Sequence, residues 1–539
     1  MAARAAGFLA VLAALALASC SGGGGSTPAP PAPPAPPPPA TGVVSGPSPF
    51  APGCGDATGT VYVDAEVEPS LAVDPANPDH LLAMWQQDRW SNGSARGLVS
   101  AVSFDGGATW ASQGMAFSRC AGGTPANGGD FDRATDPWVA FGPDGTAWAM
   151  SLSTSGASFA GGSANAMLVS RSADGGRTWG NAVALIADTA PFFNDKNAIT
   201  ADPRDARFAY AVWDRLYQLG GGPATFARTV DGGASWEPAR SIYDPGSDGQ
   251  TIGNLVVVLS DGALANVATR IDESTLPART ASIVALRSTD RGATWSAPVT
   301  VAAHLAVGAF DPDTGMAIRD GAILLSAAAG LGGSLHVAWQ DSRFSGGLRD
   351  AIAYARSADG GLTWSSPVRV NPDPAVAAFT PTVHALADGT IGVAYYDLRD
   401  NTADRATLPT GYWLARSTDG ATWSETRLAA PFDLATAPNA NGYFLGDYMG
   451  LAGLGADFLS LHVRTTGNLA NRNDVFFVRA APGAAATARG KAVPATGAWP
   501  GPWAAPSAGR FEVDAAWADR VAAAIERTLA ARGRPRPPR

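Results

Sequence analysis

The sequence has few charged residues, few histidines and few cysteines. Asp, Glu, Lys and Arg make up 16% of its 539 residues, whereas globular domains usually have about 25%. With 38 basic residues and a net charge of −9, the chain lacks the basic surface that nucleic-acid binding requires, so nucleic acid is not expected as a partner. The five histidines form no HExxH pattern, and no Gly-x-Ser-x-Gly or Gly-x-x-x-x-Gly-Lys motif occurs. These absences argue against zinc proteases, α/β-hydrolases and P-loop nucleotidases.

Apolar and turn-forming residues are plentiful instead. Hydrophobic residues make up 46% of the chain, which also contains 16 Trp, 63 Gly and 41 Pro. This apolar content is sufficient for a core and excludes global disorder. A chain of this length is too long for one compact core, so several units or a repeat are expected.

The beginning of the chain has the features of an export signal. Residues 1–4 are positively charged, and residues 5–17 form an apolar run too short to span a bilayer as a mature helix. Leu-Ala-Ser-Cys at 17–20 resembles the lipobox of bacterial lipoproteins, which implies a signal peptide at 1–19 and a lipid on Cys20. The resemblance implies an exported chain, anchored to a membrane of the bacterial cell envelope, with the outer membrane as one location. An ordinary secretory signal is the alternative.

Residues 20–52 are rich in Pro and Gly and predict an extended spacer after the anchor. Two cysteines follow, Cys54 and Cys120. In an oxidising compartment an even pair favours a disulfide, and two free thiols are the alternative. Neither cysteine has the spacing of a metal ligand.

One short pattern recurs six times at intervals of 57 to 69 residues. Each copy reads Ser/Thr-x-Asp-Gly-Gly-x-Thr/Ser-Trp, with Arg291 in place of the first Gly in the fourth copy and one residue missing in the sixth. We call this pattern the octapeptide turn. The copies lie at 103–110, 172–179, 229–236, 288–295, 357–364 and 417–423.

The residue types of the octapeptide turn are those of a hairpin. Asp accepts backbone N–H groups, Gly adopts positive φ, and Trp covers the turn with apolar area. Strand-like residues precede and follow each copy, and two more strand-like segments lie upstream of each pair. Four strands in about 60 residues is the unit of a β-propeller blade.

The octapeptide turn resembles the Asp-box, or bacterial neuraminidase repeat, and the resemblance covers about residues 66–479. It implies an all-β propeller of the sialidase-like superfamily at 53–483. Strand counting favours seven blades, with six, as in sialidases, as the alternative. A strand near 60–63 is expected to close the ring. Residues 484–508 predict a linker, 509–533 an amphipathic C-terminal helix and 534–539 a basic tail, and the chain is expected to be a monomer.

In such a blade the octapeptide turn joins the third and fourth strands. The starts of the first strands and the ends of the second strands then share the opposite face. Carboxylates recur at the first position, in Glu68, Asp136, Asp195, Asp320 and Asp447. Arginines recur at the second, in Arg89, Arg215, Arg270, Arg343, Arg399 and Arg464. These charges either bridge neighbouring blades or converge on an anionic ligand, since guanidinium suits a carboxylate.

Similarity to sialidases assigns provisional roles. It implies Tyr448 as nucleophile, assisted by Glu68, and Asp88 or Asp136 as the acid. Candidates for binding a substrate carboxylate are Arg89, Arg343, Arg399 and Arg215. No cofactor is expected, with Ca²⁺ at the carboxylates as the alternative.

Two functions follow from these roles. The first is an exo-sialidase-type glycosidase acting on acidic sugars of a glycan or surface polysaccharide. The second is a non-catalytic surface propeller that binds a glycan or a protein. The absence of the Phe/Tyr-Arg-Ile-Pro segment typical of sialidases favours the second function.

Overall fold

The computed structural model describes residues 40–55, 58–274, 280–483 and 488–491, and for 40–41 and 488–491 the backbone only. The described residues are β-strands and connecting turns, with no α-helix among them. Five short 3₁₀ turns occur, at Arg119–Ala121, Pro125–Asn127, Leu331–Gly333, Ser342–Ser345 and Leu434–Thr436. No helix in these residues has the length and apolar character needed to cross a bilayer.

Most strands of the described residues pair into antiparallel sheets that divide into seven four-stranded meanders, the first two of which are joined in one nine-stranded sheet. We interpret each meander as one blade of a propeller and number the blades along the chain. Blade 1 comprises Val67–Asp74, Asn77–Trp90, Ala95–Ser103 and Ala111–Met115. Blade 2 comprises Arg133–Phe141, Ala147–Ser155, Ala164–Ser172 and Val183–Asp188. Blade 3 comprises Phe192–Ala201, Ala209–Tyr217, Ala224–Thr229 and Arg240–Tyr243.

The remaining blades follow the same order. Blade 4 comprises Gly249–Val258, Leu264–Asp272, Thr280–Ser288 and Val299–Ala303. Blade 5 comprises Leu325–Ala329, Leu335–Asp341, Ala351–Ser357 and Val368–Arg369. Blade 6 comprises Ala378–Ala385, Ile391–Asp397, Pro409–Ser417 and Thr422–Asp433. Blade 7 comprises Gly450–Leu454, Asp457–Asn468, Asn471–Ala480 and, from the start of the chain, Ala40–Val43.

The first strands of the blades form a ring. Each contacts the first strand of the next blade, and that of blade 7 contacts that of blade 1. The core lies between neighbouring blades because alternate residues of a strand face opposite sides of its sheet. In blade 1, Leu81 and Trp85 belong to one buried cluster and Leu82 and Met84 to another. Burial on both faces explains why these strands are continuously apolar.

The strand that completes blade 7 differs from the prediction. Ala40–Val43 pairs with Asn471–Ala480, in register from Ala40 opposite Arg479 to Val43 opposite Phe476. The predicted segment near 60–63 instead supplies Val61–Tyr62, which pairs with the end of the second strand of blade 1. Burial accounts for the difference, because Val44 joins the core while Val63 is exposed. Part of the segment assigned to the spacer therefore belongs to the fold.

Three other segments add to the sheets or fall outside the description. Ile318–Arg319 pairs in parallel with Tyr443–Phe444. Ala488–Lys491, in the predicted linker, pairs with the outer strand of blade 6. The predicted signal peptide, Cys20 and the predicted C-terminal helix lie outside the described residues.

All six octapeptide turns join the third and fourth strands of a blade, in blades 1 to 6. In the second turn, the Ser172 hydroxyl donates to Asp174 at 2.7 Å and accepts the Gly176 N–H at 2.7 Å. Asp174 also accepts the backbone N–H and the hydroxyl of Thr178. These hydrogen bonds lower the pKa of Asp174 to about 2. The octapeptide turn is thus a self-contained structural unit.

Because consecutive strands are antiparallel, the octapeptide turns lie on one face of the ring and the starts of the first strands on the other. We call these the turn face and the entrance face.

Candidate functional site

Residues near the starts of several first strands have an unusual backbone conformation. Four non-glycine residues near their starts have positive φ: Glu68 (55°), Asp136 (52°), Lys196 (47°) and Thr380 (51°). In each of these blades the register between the first and second strands shifts at this point. Positive φ is costly for residues with a side chain and clusters at functional sites.

Three of these residues meet across the ring. The Lys196 ammonium Nζ lies 2.6 Å from Asp447 Oδ2, 3.6 Å from Glu68 Oε1 and 3.8 Å from Asp136 Oδ1. All four side chains are nearly inaccessible to solvent. With Arg89 and Arg319 they form what we call the charged cluster, composed of Glu68, Arg89, Asp136, Lys196, Arg319 and Asp447.

Backbone contacts hold the acidic residues of this cluster in place. The Lys196 N–H donates to Asp136 Oδ2 at 3.1 Å, and the Asp447 N–H donates to Glu68 Oε1 at 3.3 Å. The residue before Asp447 is Gly446, with φ of 141°. A Cβ there would lie 2.7 Å from the Glu68 nitrogen, so glycine permits the close approach of blades 1 and 7.

The two arginines of the cluster differ in their partners. Arg319 pairs with Asp447, with Nη2 3.2 Å from Oδ2. Arg89 donates to Gln86 Oε1 at 2.7 Å, while its buried Nε has no hydrogen-bond partner. Both guanidinium groups contact the Phe444 ring, at 4.7 Å for Arg89 and 4.4 Å for Arg319. No carboxylate in the described part of the chain forms an ion pair with Arg89.

Burial and charge give the acidic groups different affinities for protons. Burial raises the pKa of Glu68 to about 7, although Lys196 opposes the shift. Burial also disfavours ionised Asp447, but Arg319 and Lys196 hold the pKa of Asp447 well below its usual value. Burial lowers the pKa of Arg89 to about 9, and neighbouring Arg319 adds to the decrease. The cluster therefore combines a permanently ionised carboxylate with one that titrates near neutral pH.

A cavity of about 880 Å³ opens beside the charged cluster. Arg89, Asp136, Asp195 and Arg319 line its charged part. The rest of the lining comes mainly from residues 91–94 and 156–158, with Thr58, Tyr62, Thr154, Asn439 and Asn441. This volume falls within the range of small-molecule sites, about 300–1,000 Å³.

Cys54 and Cys120 form a disulfide, with Cα atoms 5.5 Å apart. Thr58, which follows Cys54 closely, accepts a hydrogen bond from Arg133 Nη2 at 2.8 Å. Both Thr58 and Arg133 line the cavity. The disulfide thus anchors one wall of the site.

Among the predicted catalytic residues, Glu68 and Asp136 belong to the charged cluster, and Tyr448 lies next to it. The Tyr448 ring packs 5.3 Å from Trp138, and Lys196 Nζ lies 5.6 Å from its centre. The Tyr448 hydroxyl is buried without a hydrogen-bond partner, and burial raises its pKa. The phenol is therefore neutral in this arrangement.

Asp88 has a different environment. It accepts hydrogen bonds from the Ser48 hydroxyl at 2.7 Å and the Asp64 N–H at 3.0 Å, and it pairs with Arg96 at 3.2 Å. It does not line the cavity. These contacts fasten the segment before blade 1 to that blade.

Of the predicted substrate-binding arginines, Arg89 alone lines the cavity. Arg343 pairs with Asp341 at 2.7 Å, and Arg215 pairs with Asp188 at 2.8 Å. Arg399 pairs with Asp397 at 2.5 Å and with Glu425 at 2.8 Å. These three arginines pair with different carboxylates and do not converge.

Sequence reasoning did not nominate Lys196, Arg319, Asp447 or Gln86 for the site. Asp447 is one of the carboxylates that recur at the first-strand starts, and Lys196 and Arg319 are adjacent to two others, Asp195 and Asp320, so their position was visible in the sequence. Their convergence depends on closure of the ring. In the described residues no group of three or more His, Cys, Asp or Glu side chains is arranged to hold a metal ion.

No protein-family model matches this chain, and no curated protein matches its sequence. Solved structures resemble it at low identity. A protein of unknown function from Dyadobacter fermentans is 16% identical over 78% of this chain and 96% of that chain, with a TM-score of 0.42. A Hadza microbial sialidase is 16% identical over 62% of this chain and 64% of its own, with a TM-score of 0.39.

An α-L-arabinanase from Penicillium chrysogenum is 14% identical over 64% of this chain and 92% of its own, with a TM-score of 0.38. This chain covers 64% of the Hadza sialidase, which is less than two thirds of that protein's length. Because the identities are 14–16% and the TM-scores do not exceed 0.42, the function has to be inferred from the residues of the chain itself.

Proposed function

We propose that the chain binds an acidic sugar of a glycan in the entrance-face cavity and hydrolyses its glycosidic bond there. The observation that carries the proposal is Arg89, a buried guanidinium that lines the cavity and has no carboxylate partner. Glu68, Asp447 and Asp136 attract its charge, but none of them lies within ion-pair distance of the guanidinium, and a buried charge that is not closely paired is costly. A ligand carboxylate would supply the counter-ion, and its planar oxygens suit the guanidinium fork.

Hydrolysis requires acid and base groups beside the bound sugar. Glu68 supports this role because its raised pKa, about 7, leaves a large protonated fraction at neutral pH. Asp136 lines the cavity and supplies a second carboxylate, whereas Glu68 does not line the cavity and lies in the charged cluster beside it. Glu68 is therefore the proposed acid and Asp136 the proposed base. Tyr448 as nucleophile stays a prediction, because its hydroxyl would first have to lose its proton.

Chromogenic glycosides of acidic sugars, including a sialoside and a uronide, test this function. We expect wild-type turnover, and about 10²- to 10⁴-fold slower turnover in Glu68→Gln, because removing a general acid forfeits a contribution of that size. Glu237→Gln is the matched control, since Glu237 pairs with Arg228 outside the cavity; its turnover should equal that of the wild type. Tyr448→Phe tests the nucleophile.

The same samples separate the two functions. Saturable binding of the acidic sugar without turnover, lost in Arg89→Met, would favour the non-catalytic surface propeller. Neither binding nor turnover on any acidic sugar would refute the proposal.

We further propose export and attachment to the cell envelope through a lipid on Cys20. The disulfide supports export, because disulfides persist mainly in oxidising compartments. Labelled fatty acid should be incorporated into the wild-type chain and not into Cys20→Ala. Equal labelling of both would contradict the lipid anchor.

A further inference from the structure

Lys196 combines an unfavourable backbone conformation with the burial of a charged side chain. Its φ is 47°, which costs free energy for any residue with a Cβ, and its side chain is buried. Burial by itself would lower the pKa of Lys196, yet Asp136, Asp447 and Glu68 raise it above its ordinary value. The ammonium group is therefore charged, and its position is determined by the carboxylates around it.

The three carboxylates are not held equally. Asp447 has two cations, Lys196 at 2.6 Å and Arg319 at 3.2 Å. Asp136 contacts Lys196 through Nζ and also accepts the Lys196 N–H. Glu68 has Lys196 at 3.6 Å and otherwise neutral donors, the Gln86 amide and the Asp447 N–H. Lys196 Nζ is no closer to Asp136, at 3.8 Å. Asp136 lines the cavity, however, whereas Glu68 does not line it and its side chain is 1% exposed. Glu68 is thus the carboxylate that has neither a second cation in contact nor access to the cavity.

We infer that Lys196 is a positioning residue that, together with Arg319, keeps Asp447 ionised, so that Glu68 carries the exchangeable proton of the charged cluster. The catalytic meaning of this proton rests on the proposed function, but its location does not. The charged and titratable groups that face Glu68 are Lys196, Asp447, Asp136, Arg89 and Tyr448.

The charge balance of the cluster follows from this assignment. Protonation of Glu68 removes one negative charge from a cluster that contains three cations, Arg89, Lys196 and Arg319. An anionic ligand next to Arg89 would restore that negative charge. Binding of an acidic sugar is therefore coupled to retention of the proton on Glu68, and affinity falls as pH rises through the titration of Glu68.

Infrared spectroscopy can locate the proton without requiring activity. A protonated carboxyl group has a carbonyl band distinct from that of a carboxylate. Asp214, Asp350 and Glu425 also have pKa values raised to about 7 or 8. The Glu68 band is therefore obtained by subtracting the spectrum of Glu68→Gln from that of the wild type across a pH series.

We expect a wild-type band that titrates near pH 7. In Lys196→Met the midpoint should rise by about one pH unit or more, because a neighbouring cation is removed. Lys196→Arg should restore it. In Asp136→Asn the midpoint should fall, because a neighbouring negative group is removed. This variant replaces Lys196→Met in the test if Lys196→Met does not fold.

The outcomes separate a positioning role from a structural one. If Lys196 only fills space, Lys196→Met changes the melting temperature and leaves the midpoint where it was, which overturns the inference. An absent difference band also overturns it. A band that shifts as expected in a protein that neither binds nor cleaves acidic sugars would support the inference while refuting the proposed function.

Discussion

The two faces of the ring are built from the same repeat but hold their charges in opposite ways. On the turn face, each Asp is bonded within its own octapeptide turn, as Asp174 is to Ser172 and Thr178. On the entrance face, Lys196 of blade 3 contacts Glu68 of blade 1 and Asp447, which precedes blade 7.

The turn face is therefore repetitive and local, whereas the entrance face is irregular and depends on long-range contacts. A repeat that satisfies its own polar groups builds a scaffold. The candidate site lies where the copies differ, and there Arg89 has no carboxylate of the described residues within ion-pair distance.

The largest expected effect is on stability, and it should differ between Arg399, which forms ion pairs, and Arg89, which forms none with the residues that the structure describes. Arg399→Met leaves the buried Asp397 carboxylate without its cation, so we expect a loss of about 3–5 kcal/mol in the free energy of unfolding. Arg89→Met removes a charge that has no carboxylate partner and should change stability far less. Urea denaturation of both variants measures the difference, and equal losses would contradict it.

A smaller effect is expected on the turn face. Ser172→Ala leaves the Gly176 N–H buried without its acceptor, which costs about 1–3 kcal/mol of unfolding free energy. Ser172→Thr is the matched control, because Thr229 makes the same contacts in the third turn, at 2.8 Å each. Thermal unfolding should therefore distinguish Ala from Thr, while binding to the entrance face stays unchanged in both.

A third effect is a pH dependence of opposite sign on the two faces. The turn-face Asp residues have folded pKa values near 2, below the ordinary 3.8, so their contribution to stability is lost as pH falls through this range. Glu68 has a folded pKa of about 7, above the ordinary 4.5, so stability declines as pH rises from 4.5 to 7.

Measuring the free energy of unfolding from pH 2 to 8 tests both predicted directions of the pH dependence. In Glu68→Gln the decline between pH 4.5 and 7 should become shallower, while the acid limb remains. An unchanged slope between these values would show that Glu68 is not the group responsible.

Much of the fold could be predicted from the sequence, because the octapeptide turns are local. Asp, Gly and hydroxyl residues at fixed spacing determine a hairpin wherever they occur. The closing strand was predicted wrongly because strand pairing across more than 400 residues has no local signal. Ala40–Val43 and Val61–Tyr62 are both short extended segments, and burial of Val44 separates them.

The candidate site was predicted in part. Glu68, Asp136 and Arg89 were nominated and do meet, whereas Arg343, Arg399 and Arg215 form pairs with other carboxylates. The recurrent arginine pattern therefore mixes ion pairs that serve the scaffold with one unpaired cation. A pattern of residue types does not reveal which arginine has a partner.

The sequence by itself determined the blades, since each hairpin depends on contacts within a few residues. The tertiary structure decided which first strands lie opposite one another. Closure of the ring brings Glu68, Lys196 and Asp447 together, although Glu68 and Asp447 are 379 residues apart in the sequence. Burial at that meeting point then set their charges, since the same carboxyl group ionises differently when water is replaced by protein.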